Sequence, residues 1–129
     1  MKNHRFKNNT RSKPEEEMLE MLREIFPNYI IYSNYPYSKF SHTDNDKLLA
    51  DFYIQGLNIV IEYDGESHFK PIVYVRTDEG ILKAQEDFKM IKLRDRMKDK
   101  LVSPIRIPYN EWKGAREDKL AYLKNKIFN

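Results

Sequence analysis

Residues 48–54 read LLADFYI and residues 57–63 read LNIVIEY, with Gln55-Gly56 between them. Runs of this length, rich in Ile, Val, Phe and Tyr and split by a glycine turn, predict two neighbouring antiparallel strands. Such a hairpin must bury at least one face, and the surrounding sequence supplies the cover. Ser12 reads as a helix N-cap, followed by Pro14 and three glutamates. Met18, Leu19, Leu22, Ile25 and Phe26 then recur at helical spacing, so a helix is expected over 14–26, ending at Pro27-Asn28. Tyr29–Tyr32 reads as a short first strand, 33–47 as a loop or irregular hairpin, and 72–76 as a short strand extension. A long helix is expected over 81–101, then a strand in IRIPY from Ile105 to Pro108. A final helix over 113–128 carries Leu120, Leu123 and Ile127. This order predicts an α/β fold with a mixed central β-sheet flanked by helices.

At 129 residues the chain fits one domain. Without cysteine it has no disulfide framework, zinc-thiolate site or thiol nucleophile. No apolar run approaches the roughly 20 residues of a membrane span, and MKNHRFKNNTRSK lacks the apolar stretch of a signal peptide. A soluble cytoplasmic domain is the expectation.

The charged residues break the strand pattern in places where folding gains nothing from them. Side chains alternate faces along a strand, so Leu49, Asp51 and Tyr53 lie opposite Ala50, Phe52 and Ile54. Aspartate is disfavoured in strands, so Asp51 is out of place unless it serves a site, the plain alternative being an Asp that closes a strand beside a turn. In IEYDGESHF, Glu62 and Asp64 share a face at a strand end, Gly65 permits a sharp turn, and Glu66 and His68 follow. Clustered carboxylates repel unless a divalent cation neutralises them, and oxygen ligands suit Mg²⁺ or Mn²⁺. Histidine is the side chain suited to proton transfer near neutral pH. His4 and His42 lie in polar stretches and suggest no role. On a helical wheel Glu15 falls in the middle of the apolar stripe of Met18, Leu19, Leu22, Ile25 and Phe26. An acid there is costly unless paired or bound to a cation, although a wet first helical turn is the plain alternative.

The cations have their own distribution. Residues 1–13 hold Lys2, Arg5, Lys7, Arg11 and Lys13 and no acid. The local charge is +5, within a chain of net charge +3. This segment is expected to be a flexible basic arm preceding a single domain at 14–129. Its natural partners are polyanions, and its plain reading is a solvated tail. In the long helix, Lys89, Lys92, Arg96 and Lys100 fall within about 80° of one another, beside an apolar stripe of Met90, Leu93, Met97 and Leu101. A line of cations at helical spacing can follow a phosphate backbone, or it can be an ordinary solvated face. Acids for a metal, a proton-transfer histidine and flanking cations together suggest phosphodiester hydrolysis.

The same residues carry a resemblance. Ala50-Asp51-Phe52-Tyr53-Ile54 followed by Ile61-Glu62-Tyr63-Asp64-Gly65-Glu66-Ser67-His68-Phe69 resembles the core of small nucleases related to very-short-patch-repair endonucleases. These belong to the PD-(D/E)XK, or restriction-endonuclease-like, superfamily. Phe88-Lys89, Arg94-Asp95, Lys98 and the closing Ile105-Arg106-Ile107-Pro108-Tyr109 continue the pattern, and Ser12-Lys13-Pro14-Glu15 with Met18 is similar to the family's opening helix. The resemblance spans roughly residues 12–111. It implies a Mg²⁺- or Mn²⁺-dependent endonuclease of phage type, nicking, homing-type or branched-DNA-cleaving, in a bacterial or phage-infected cell. Asp51 then matches the central metal ligand, Asp64 and His68 the positions after the next strand, and Glu15 the helix glutamate. Position 64 is Asp where standard members carry the lysine that follows the acid at Glu62, so that lysine's place has no occupant and the direct role of Glu62 is open.

The expected site set is therefore Glu15, Asp51, Glu62, Asp64 and His68, with Asp51, Glu62 and Asp64 toward the metal. Lys89, Lys92, Arg96, Lys100, Arg5, Lys7 and Arg11 are expected toward DNA. With no room for a separate recognition module, specificity would come from the loops at 33–47 and 70–80, a homodimer or a partner protein. The alternatives are a non-catalytic DNA-binding protein on the same scaffold and an RNA-cleaving relative.

Overall fold

A computed structural model describes residues 3–5, 11–40 and 48–129. Five strands lie side by side in chain order. They are β1 (Asn3–Arg5), β2 (Ile31–Pro36), β3 (Leu49–Ile54), β4 (Ile59–Asp64) and β5 (Ile105–Pro108). β2, β3 and β4 are mutually antiparallel, while β1 joins β2 and β5 joins β4 in parallel, so the sheet is mixed. The helices are α1 (Lys13–Ile25), α2 (Asp78–Leu101) and α3 (Arg116–Phe128).

The two sheet faces bury different things. On one face Met18, Leu19 and Leu22 of α1 and Leu123 of α3 pack with Phe52, Ile54, Ile61 and Ile107. These are the residues the strand alternation and the helical period select. Deleting any one of them to Ala costs about 2–5 kcal/mol. The other face carries a smaller cluster of Tyr37, Leu48, Ala50 and Val60, against which Met97 and Leu101 of α2 pack. Ala50, expected beside Phe52 and Ile54, is on this side because the regular pairing of β3 with β4 ends at Phe52. The mixed sheet flanked by helices is thus the observed architecture. No helix among the described residues is long and apolar enough to cross a membrane.

Local chemistry accounts for where the elements start and stop. Ser12 caps α1 in a reciprocal box with Glu15. Asn58 takes a left-handed conformation (φ 56°), as does Gly56 (φ 93°), so the turn occupies four residues and β4 starts at Ile59 rather than at 57. The strand expected at Tyr29–Tyr32 begins two residues later and runs to Pro36, into the stretch expected to be a loop. Residues 72–76 form no strand: β4 already has β3 and β5 on its two edges, and Tyr74 is left 88% exposed.

Two further expectations are corrected. Asn3–Arg5, placed in a flexible arm, form an edge strand. In α2, Met90 and Leu93 of the expected apolar stripe are exposed, while Phe88 and Ile91, outside it, are part-buried. The helix turns a mixed face to the sheet, on which Ala84 and Asp95 are its buried residues.

Candidate active site

β3 and β4 pair with Phe52 opposite Ile61. The ladder ends at that pair, and Asp51 and Glu62 follow directly on the two strands, close enough for the Glu62 charge to act on Asp51. Glu62 is buried, and both of its oxygens are engaged. The Tyr37 hydroxyl donates to Oε2 at 2.7 Å, and the Lys98 ammonium donates to Oε1 at 3.1 Å. Burial raises the Glu62 carboxyl above its ordinary range, with Lys98 and Tyr37 pulling against it. Burial likewise raises the Tyr37 phenol, reinforced by Glu62.

Asp51 is treated differently. It accepts one backbone hydrogen bond, from the Tyr63 N–H at 2.7 Å, and forms no ion pair among the described residues. Burial raises its carboxyl well above the usual range, and the negative charges of Glu62 and Glu15 add to this. A desolvated carboxylate beside a second one, with one lysine between several acids, is short of positive charge. That shortage, and the hard oxygen donors, fit a divalent cation.

A second group lies two residues further along β4. The short turn Glu66–His68 after Gly65 swings the imidazole back toward the sheet. His68 Nδ1 lies 3.0 and 3.1 Å from the two oxygens of Asp95 on α2 and 3.6 Å from Asp64. An Asp95 carboxylate accepts from Nδ1–H, which leaves Nε2 as the acceptor nitrogen. Lys92 donates to the His68 carbonyl at 3.1 Å, fixing the turn to α2. Asp64, His68 and Asp95 offer ligand atoms within 4.8 Å of one another, a group able to hold a metal ion. Arg106 of β5 reaches the same oxygens. Its Nη1 donates to Asp64 at 2.9 and 3.2 Å, and its Nη2 to the Asp95 carbonyl at 3.2 Å. Burial raises the Asp64 carboxyl against the pull of Arg106 and His68.

The fold therefore brings Glu62, Asp64 and His68 together against α2, with Asp51 close enough to Glu62 for their charges to interact. Glu15 stands close enough for its charge to act on Asp51, but it also has a structural duty: its carboxylate accepts from the Ser12 N–H and hydroxyl at 3.1 and 2.7 Å. The cations divide. Lys89, Arg96 and Lys100 are exposed, and at about 100° per residue Lys98 falls about 180° from Lys89, so this line runs along the far side of α2 from the acids. Lys92 alone of the four turns toward the site. Arg11 is engaged by Glu16 at 2.9 Å and by the Ser33 hydroxyl at 3.2 Å. Arg5 lies in β1, with its side chain outside the described ones, and Lys7 lies outside the described residues.

Tyr37, Asp95, Lys98 and Arg106 are absent from the expected set. Lys98 reaches Glu62 from α2. A cavity of about 350 Å³ opens beside these groups, lined by His68, Arg94, Asp95 and Lys98 over Leu48, Leu49 and Ile91. No protein-family model, curated protein or solved structure matches the chain.

Proposed function

We propose that the chain is a small metal-dependent endonuclease that hydrolyses phosphodiester bonds in DNA. The observation that carries this reading is Asp51: a part-buried carboxylate that forms no ion pair among the described residues, within reach of the Glu62 charge, with Lys98 of α2 on Glu62 and a histidine–aspartate pair nearby. The sequence resemblance to repair-type and phage-type nucleases of the PD-(D/E)XK superfamily supports the same reading.

Asp51 and Glu62 would hold the Mg²⁺ or Mn²⁺ ion. Such an ion supplies water activation and neutralises charge on the phosphate. The chain's own residues do the rest. His68 Nε2 takes the proton of the attacking water, and Asp95 on Nδ1 holds the ring orientation and stabilises the imidazolium that forms. Lys98 keeps a positive charge beside the acids, where the phosphate charge grows in the transition state. Arg94, exposed at the cavity with His68 and Lys98, offers a planar donor fork for a phosphate oxygen.

Supercoiled, linear and branched DNA, incubated with Mg²⁺, with Mn²⁺ and with EDTA, test the reading. Metal-dependent cleavage is expected, and Asp51→Ala or Asp64→Ala should abolish it while DNA binding survives. Tight binding with no cleavage of any substrate would instead make the chain a DNA-binding protein on this scaffold.

A further inference from the structure

Asp64, His68 and Asp95 form a group of metal-type donors among the described residues, and a cation already lies on its two acids. Arg106 Nη1 sits 2.9 Å from Asp64 Oδ1 and 3.6 Å from Asp95 Oδ1. The remaining guanidinium nitrogens are held in turn, with Nε 3.0 Å and Nη2 2.9 Å from Asp99 and Nη2 also on the Asp95 carbonyl. A planar fork fastened at four acceptors on β4 and α2 is pre-organised and does not leave cheaply. The other ligand in this group, His68 Nδ1, is committed as well, because it faces both Asp95 oxygens at 3.0 and 3.1 Å. An ion placed here would have to displace Arg106, which touches both acids, whereas Asp51 forms no ion pair among the described residues and Glu62 beside it shares its oxygens with one lysine and one phenol.

We propose that Arg106 is a built-in cation that occupies the Asp64–Asp95 pair and limits the site to a single divalent ion, held by Asp51 and Glu62. The proposal rests on the nuclease reading only for where that ion goes. Arg106 thereby acts as a positioning residue. It neutralises Asp64 and fixes Asp95, which in turn fixes the ring of His68 for proton transfer.

The test is a count of bound Mn²⁺ by electron paramagnetic resonance titration of the intact chain. The wild type should bind one ion per chain. Asp51→Asn should abolish that binding, and Asp64→Asn with Asp95→Asn should leave the count at one. Arg106→Lys, which keeps the charge, should stay at one. Arg106→Gln should gain a second ion that Asp95→Asn removes again. Two ions in the wild type, or loss of the single ion in the Asp64→Asn/Asp95→Asn chain, would overturn the proposal, and neither result depends on whether Arg106→Gln folds. A folded Arg106→Gln chain that stays at one ion would also overturn it. One bound Mn²⁺ with no cleavage of any nucleic acid would end the nuclease reading and leave this one standing.

Discussion

Asp51 and Glu62 lie on adjacent strands, and the protein solves their repulsion only for Glu62. Glu62 has Lys98 and Tyr37, while Asp51 has a single backbone N–H. Asp51 should therefore cost stability when it is ionised. Because its carboxyl is raised in the folded chain, the native state binds more protons than the unfolded one above the ordinary carboxylate range, and stability falls as pH rises through that window. Asp51→Asn keeps an acceptor for Tyr63 and removes the charge. Its melting temperature should rise at neutral pH, by about 3–6 °C for each 1 kcal/mol relieved. Thermal melts across pH should show the gap closing as the medium is acidified to where Asp51 is protonated in both states. Lys98→Met should do the reverse. It strands a buried carboxylate, which costs about 3–5 kcal/mol, and it should slow cleavage by about 10²-fold or more, read from melts and single-turnover rates.

At this scale the sequence was informative about acids and poor about their partners. Asp51, Glu62, Asp64 and His68 stand out because each interrupts a strand or follows its turn. Tyr37 gives no such signal, and Asp95, Lys98 and Arg106 stand in the sequence only as parts of the family pattern with no role attached, although Arg106 too interrupts a strand. Asp95 and Lys98 sit in a highly charged helix, on the opposite side from the line of cations that catches the eye, and their meaning appears only when α2 lies against β4. Glu15 falls between the two cases: the helical wheel rightly marks it as unusual, yet the capping box with Ser12 explains its conservative role as well as a site does.

Among the elements, α2 most shapes the site and was the least legible. Its boundaries follow from Thr77, whose side chain accepts from the Gly80 N–H, but its buried face does not follow from apolar periodicity, because charged Asp95 and Lys98 occupy it. The N-terminal half carries exposed Ile81 and Leu82. Gly80 is the joint: a Cβ there would stand 2.0 Å from the Val75 carbonyl oxygen. Gly80→Ala should loosen residues 70–80 and fray the start of α2, raising amide hydrogen exchange there while β3 and β4 keep their protection. The hairpin itself was legible because alternation and Gly56 both announce it. Its exact start was not, since a left-handed Asn58 leaves little trace in composition.

Taken whole, the molecule keeps its larger apolar cluster on one face of the sheet, while the other joins a smaller one to buried ionisable groups, where α2 supplies both acids and bases. The net charge of +3 conceals this arrangement. Metal binding should reveal it. Mn²⁺ at about 100 times its dissociation constant should stabilise the chain by about 2.7 kcal/mol. The resulting rise in melting temperature should be reversed by EDTA and be absent in Asp51→Asn.

The most direct measurement is the rate at which the chain nicks or linearises supercoiled DNA in Mn²⁺, for the wild type and for Asp51→Asn, with EDTA as control. Cleavage by the wild type is expected, with none in EDTA and a fall of about 10³-fold in a folded Asp51→Asn chain that still binds DNA. Cleavage that persists in EDTA, or an Asp51→Asn chain as active as the wild type, would contradict it.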